Sequence, residues 1–207
     1  MTSHLILQLA DSAFPSGAFA HSLGLEALRA IGYLRGEAAL VLRLEELAWQ
    51  TAYGVLPFLG DARGDAAASD RACDRFLSST VANRASRAQG QAFQLAAQAM
   101  LDVRVALPFG HLPVALGAVL ATTDVTRDEA RRLAMFGALR SATSAAVRLS
   151  VIGPLRAQRV LHQLGEVAER ALAETAELRA ADARSVAPLV DLAQAAHDRL
   201  YTRLFQS

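Results

Sequence analysis

The chain has 207 residues, 53% of them apolar, and a formal net charge of +1. All 21 of its cations are arginine, which excludes a GKS/GKT P-loop, Schiff-base chemistry and any catalytic lysine. A single cysteine, Cys73, excludes a disulfide framework and a CxxC redox or zinc site, and the near-neutral charge gives no electrostatic reason to expect nucleic acid or an acidic membrane as partner.

A chain of this length suits one domain and buries roughly 70% of its unfolded surface. With 6% aromatic residues, the core must be mostly aliphatic. There is no N-terminal leader pattern. The nearest run to a membrane span, Val105 to Ala121, is broken by Pro108, Gly110, His111 and Pro113. The chain reads as soluble and cytosolic.

The stretch Leu5 to Leu28 opens as a short apolar helix, breaks into a loop with Pro15 and Gly17, and re-enters helix near Ser22. The loop carries Phe14, Phe19 and His21 among small residues, where a plain connector would be polar. Such a loop is either packed under other helices or held ready for a partner. Ser22 suits an N-cap, its hydroxyl accepting from the first-turn amides.

Apolar spacing then predicts a helix from Glu37 to about Thr51, interrupted at Gly54 and Pro57. The small, charged segment Gly60 to Asp70 reads as a solvated connector, with helix resuming over about Asp65 to Ser78. Asn83 to Leu101 is a strong helix. Gly90 in its middle is either tolerated or marks close packing. Leu107 to Pro113 is a turn, followed by helix to about Thr122. Thr126 and Glu129 form a capping box that opens a long helix from Arg127 to about Ile152, with Asp128 and Arg132 four apart as a surface pair. Gly153-Pro154 marks a stop or a kink, and another helix covers Leu155 to about Ala181.

Val186 to Ser207 closes the chain as a helix with Pro188 in its first turn. His197, Tyr201 and Phe205 fall four apart as an aromatic stripe beside leucines, accompanied by Arg199 and Arg203. Tyr, Phe and Arg in a terminal segment are the composition of a docking surface, the alternative being a last helix that folds back on the core. Docking is favoured because both faces of the tail carry large apolar groups and one core can cover only one. No stretch alternates with period two. The fold class is all-α, one domain of roughly eight to ten helices.

The chemistry-bearing residues form no catalytic set. Five histidines are scattered, and only His162 has a carboxylate one turn on, at Glu166. His21-Ser22-Leu23-Gly24 lacks the first glycine and the strand of a GxSxG elbow. Glu45 and Glu46 diverge around a helix and cannot form a dyad. Arg148 sits among Val147, Leu149 and Val151, so it is either a buried guanidinium needing a carboxylate or carbonyls, or a surface arginine whose stem covers apolar neighbours. These readings point away from an enzyme and away from any bound cofactor.

At both ends the chain resembles the UreF family of urease accessory proteins. The N-terminal run Leu7-Gln8-Leu9-Ala10-Asp11-Ser12-Ala13-Phe14-Pro15, with Gly17, Phe19, His21-Ser22, Gly24 and Leu25-Glu26, is similar to the family signature. So is the end, from Pro188-Leu189 through His197-Asp198-Arg199-Leu200-Tyr201-Thr202-Arg203-Leu204-Phe205-Gln206-Ser207. Between them Asn83-Arg84-Ala85-Ser86 with Gly90, His111-Leu112-Pro113 with Gly117, and Arg148-Leu149 with Gly153 fall in family order. Two departures stand out: Ser16-Gly17-Ala18 replaces a paired glycine, and Ser150-Val151-Ile152-Gly153 replaces a Pro-Leu-Gly run.

The resemblance implies a non-enzymatic, helical, homodimeric protein that joins UreD (also called UreH). It then recruits the nickel-carrying GTPase UreG and helps deliver nickel to the urease apoprotein. Asp11, Ser12, Pro15, Gly17, Phe19, His21, Ser22 and Glu26 at one end, and His197, Tyr201, Arg203, Leu204 and Phe205 at the other, stand as partner-binding candidates. Phe19 and Arg203 would face UreG, and the tail from 186 to 207 would order against UreD. Gly90, Arg148 and Gly153 stand as structural candidates. The alternative is a helical carrier or enzyme for a small apolar ligand; direct nickel binding through His21 or His111 is a third reading.

Overall fold

The computed structural model describes residues 2–207. Among them are ten α-helices, three single-turn 3-10 segments and no strand, so the chain is all-α. The helices are α1 (Thr2–Ala10), α2 (Leu25–Ala30), α3 (Gly36–Gly54), α4 (Leu56–Asp61) and α5 (Ala66–Phe76). After them come α6 (Thr80–Leu101), α7 (Leu112–Leu120), α8 (Arg127–Arg148), α9 (Pro154–Glu174) and α10 (Pro188–Ala196).

The most apolar segment lies at the centre. Every residue of α7 from Pro113 to Leu120 is buried, because α4, α5, α6 and α8 surround it. A helix apolar on all sides must be enclosed in this way. Among the described residues, no helix is long and apolar enough to cross a membrane.

Two positions let neighbours approach α6 and α7 to backbone contact. A Cβ on Gly90 would lie 1.9 Å from the Gly110 carbonyl oxygen, and one on Gly117 would lie 2.2 Å from that of Leu59. Gly90 therefore marks close packing, against the loop entering α7. Gly153 differs from this. Its φ is −80° and a Cβ there would meet nothing within 4 Å, so no steric need holds a glycine at this N-cap of α9.

A second layer consists of α3, α8 and α9. Leu40, Leu44 and Leu47 of α3 meet Met135, Leu139 and Ala142 of α8 and Val160, Leu164 and Ala171 of α9 in one core. Thr126 and Glu129 form the expected capping box. Asp128 does not take Arg132. That arginine instead reaches across to Glu169 on α9 at 3.0 Å, and Asp128 lies 3.9 Å from Arg131. Buried Arg131 donates to the Leu172 carbonyl and Thr175 Oγ1, and Arg127 donates to the Ala176 and Leu178 carbonyls. Two cations thus close the negative end of α9, which stops at Glu174 rather than near Ala181.

Gly60 to Asp70 is not a solvated connector. Only the turn Ala62–Asp65 separates α4 from α5, and Ser69 and Asp70 are buried. Nor does α8 reach Ile152. It ends at Arg148, where Ser150 takes a positive φ of 56° and the Val151 amide turns back to the Ala146 carbonyl. The C-terminal helix also stops early. α10 ends at Ala196, one 3-10 turn follows, and past Leu200 (ψ 134°) the chain runs on in non-helical bends.

Candidate functional site

The loop between α1 and α2 is built from short local bonds. Asp11 Oδ1 accepts from the Ala13 amide at 3.0 Å, the Asp11 carbonyl accepts from Phe14, and Pro15 lies exposed beyond. Gly17, at φ 71°, opens a single turn over Ala18–Ala20 that lifts Phe19 into solvent with 71% of its surface exposed. Phe14 points the other way and packs on Phe93, ring centroids 6.0 Å apart. The loop is therefore both packed and presented, one aromatic inward and one outward.

The C-terminal segment lies along this loop. The Gln206 amide donates to the Ala20 carbonyl at 2.7 Å, and the Ser22 amide donates to the Ser207 carbonyl at 2.6 Å. Below them the Glu26 carboxylate accepts from the Leu204 amide at 2.6 Å and the Phe205 amide at 3.2 Å, and pairs with His197 Nε2 at 2.9 Å. A carboxylate facing two amide donors and an imidazole is stabilised by charge-assisted bonds. His21 Nδ1 lies 2.5 Å from Ser207 Oγ. Burial, and then the nearby His197, push the His21 pKa below its ordinary value.

Arg148 completes the assembly. Its guanidinium lies 3.7 Å from the Phe19 ring centroid and 4.2 Å from that of Phe205, and Nη1 donates to the Phe19 carbonyl. Neither sequence reading of Arg148 describes this. It is held by two aromatic faces and one carbonyl, at the last residue of α8 where the helix dipole favours a cation. On the outer rim Asp198 bridges Arg84, at 2.9 Å, and Arg203, at 3.3 Å.

The two ends, 186 residues apart at His21 and Ser207, thus make one surface. Asp11, Ser12, Pro15, Gly17 and Phe19 are exposed on the loop, as are Tyr201, Arg203 and Leu204 on the tail. His21, Ser22, Glu26, His197 and Phe205 are buried between them and position the exposed set. Ser22 is not the N-cap of α2. Gly24, at φ 86°, takes that place, and Ser22 Oγ is buried without a partner while its amide holds the tail. The helical aromatic stripe is also absent: past Arg199 the backbone is no longer helical, and Tyr201 stands in solvent while Phe205 is buried.

A second polar cluster went unread in the sequence. Asp70, fully buried, accepts from the amides of Phe109, Gly110 and His111 at 2.6, 2.9 and 3.0 Å, which orders the entry to α7. His111 spans Ser86 Oγ at 3.1 Å and Asp74 Oδ1 at 3.2 Å, and Asn83 donates to the same Asp74 oxygen at 2.9 Å. Burial lowers the His111 pKa despite Asp74; the Asn83 bond is the main cause lowering that of Asp74. Asp70 had one sequence signal, an acidic residue in register with Cys73 on an amphipathic helix. The cluster ties α5, α6 and α7 together.

Among the described residues, no three His, Cys, Asp or Glu side chains gather as a metal-binding group. A groove of about 650 Å³ runs between α8 and α9, lined by Phe136, Leu139, Leu161 and Leu172 and also by Arg132, His162, Glu166 and Glu169. It is open to solvent, unlike the enclosed sites that take small apolar ligands.

Known proteins resemble this one over nearly its full length. The UreF family model matches residues 17–165. Urease accessory protein F of Arabidopsis thaliana is 32% identical over 97% of this chain and 90% of its own length. That of Oryza sativa subsp. indica is 31% identical over 96% of this chain and 82% of its own. Urease accessory protein UreF of Paenarthrobacter aurescens (strain TC1) is 30% identical over 97% of this chain and 96% of its own. The chain belongs to the UreF family of urease accessory proteins.

Proposed function

We propose that this protein is a non-enzymatic adaptor in urease maturation, acting in the cytoplasm as a homodimer. It binds UreD/UreH and recruits the GTPase UreG, so that nickel reaches the urease apoprotein. The observation that carries this reading is the single surface made by the two chain ends. Phe19, Tyr201, Arg203 and Leu204 stand exposed on one rigid seat, the combination of aromatic, arginine and aliphatic groups from which binding hot spots are built. Buried Glu26 holds that seat through His197 Nε2 and the Leu204 and Phe205 amides.

In this reading Phe19 and Arg203 meet UreG, and the tail engages UreD. The test is co-purification of the full chain with UreD and UreG, beside a variant lacking residues 200–207 whose helical content is verified by circular dichroism. The reading predicts loss of UreD from the folded truncated form. UreD captured equally well by that form contradicts it.

A further inference from the structure

We propose that the cavity along the start of α6 is a carboxylate-binding pocket that takes an acidic side chain of the protein partner meeting Arg203. The identity of that partner rests on the adaptor reading; the chemistry of the pocket is a property of the free chain. The cavity, of about 460 Å³, lies at the α5–α6 turn and against the first turns of α6. Its lining presents the guanidinium groups of Arg84 and Arg87 beside the hydroxyls of Ser78 and Thr80, and none of the described residues lining it is acidic. Arginines and hydroxyls without an acid among them offer donors and positive charge to an anion.

Arg87 is the uncommitted cation. It makes no ion pair with a carboxylate among the described residues, and its guanidinium lies 5.3 Å from the centroid of the Phe109 ring. Phe109 is itself anchored, since its amide donates to buried Asp70. A guanidinium already resting on a fixed ring gives up less freedom when it takes a ligand. Asp74, close enough to feel the charge of Arg87, is held by Asn83 at 2.9 Å and His111 at 3.2 Å.

Arg84 shows what the rim recognises. Its Nη2 donates to both oxygens of Asp198, at 2.9 and 3.0 Å, while its Nε and Nη1 make no hydrogen bond among the described residues. Arg203 reaches the same carboxylate at 3.3 Å. One acid thus serves two of these three arginines, and this edge of the surface keeps a surplus of positive charge. Through Asp198 the pocket is continuous with Arg203, so a partner seated on Arg203 borders it. An Asp or Glu on that partner meets charge-assisted donors, which fix register and speed encounter. The pocket is open to solvent, which suits a side chain carried in on another protein better than an enclosed small molecule.

NMR titration of the free full-length protein with hexaglutamate reads the pocket without any partner. Saturable shifts are expected at the Ser78 and Thr80 amides and at the Nε–H groups of Arg84 and Arg87. They should vanish in Arg87→Gln, and hexaglutamine should produce none. Absence of saturable shifts overturns the proposal. So does inorganic phosphate moving the same groups at a lower concentration than hexaglutamate, because the pocket would then be a phosphate site.

Binding to UreG is the second arm. Arg87→Gln should weaken it about tenfold and Arg87→Glu more, with capture of UreD unchanged. Wild-type binding should fall more steeply with salt than that of Arg87→Gln. UreG bound equally well by folded Arg87→Glu overturns the proposal. Failure of the adaptor reading looks different: the wild-type chain then captures no UreG, while the hexaglutamate shifts still decide the pocket.

Discussion

Glu26 and His197, 171 residues apart, meet at 2.9 Å beneath the last turn of the chain. The same carboxylate accepts the Leu204 and Phe205 amides, so one side chain on the short helix α2 fixes both α10 and the segment after it. Leaving a buried polar group without its partner costs about 1–3 kcal/mol, and removing this carboxylate does so to two amides and an imidazole nitrogen. Glu26→Ala should therefore release the tail. The check is limited trypsin digestion, with faster cleavage after Arg199 and Arg203 and helical content retained. Glu26→Gln, which keeps one acceptor oxygen, should show a smaller effect of about 1–2 kcal/mol.

Glycine positions give a paired prediction. Gly90→Ala places a Cβ 1.9 Å from the Gly110 oxygen, a backbone atom that Asp70 holds in place, and should lower stability by about 3 kcal/mol in a urea titration. Gly153→Ser supplies a hydroxyl at an N-cap with open space around it, and should raise stability by about 0.5 kcal/mol.

Histidine burial sets the pH dependence. His21 and His111 both have folded-state pKa values below the ordinary 6.5, mainly because burial penalises the imidazolium. The folded state prefers them neutral, so their contribution is present above pH 6.5 and is lost as the pH falls below it. Thermal midpoints should fall between about pH 7.5 and about pH 5, and His21→Asn should flatten that slope. A midpoint that holds constant over this range contradicts the assignment.

Much of the architecture was legible because its signals are local. The capping box at Thr126 and Glu129, the Gly153-Pro154 pair that opens α9 and the periodic leucines of α3 each lie within a few residues, and each specifies its element. The clasp is different. Glu26 looks like an ordinary first-turn acid, and nothing near it announces a partner 171 positions away.

The tail misled for a related reason. His197, Tyr201 and Phe205 keep helical spacing, yet the Glu26 carboxylate captures the amides of Leu204 and Phe205, and that favours a non-helical, bent run over another helical turn. Asp70 misled by composition, since a small, charged segment reads as solvated while its carboxylate in fact replaces three missing backbone acceptors. The exposed candidates Phe19 and Arg203 came from the resemblance; that they share one surface came only from the fold.

Phe19 is the sharpest probe of that surface, because its ring is exposed and its loss should cost only about 1 kcal/mol of stability. The decisive measurement is capture of UreD and UreG by the wild-type chain, Phe19→Ala and Arg203→Ala under matched conditions. The account predicts that all three retain UreD and that both variants lose UreG. Undiminished UreG on either folded variant would contradict it.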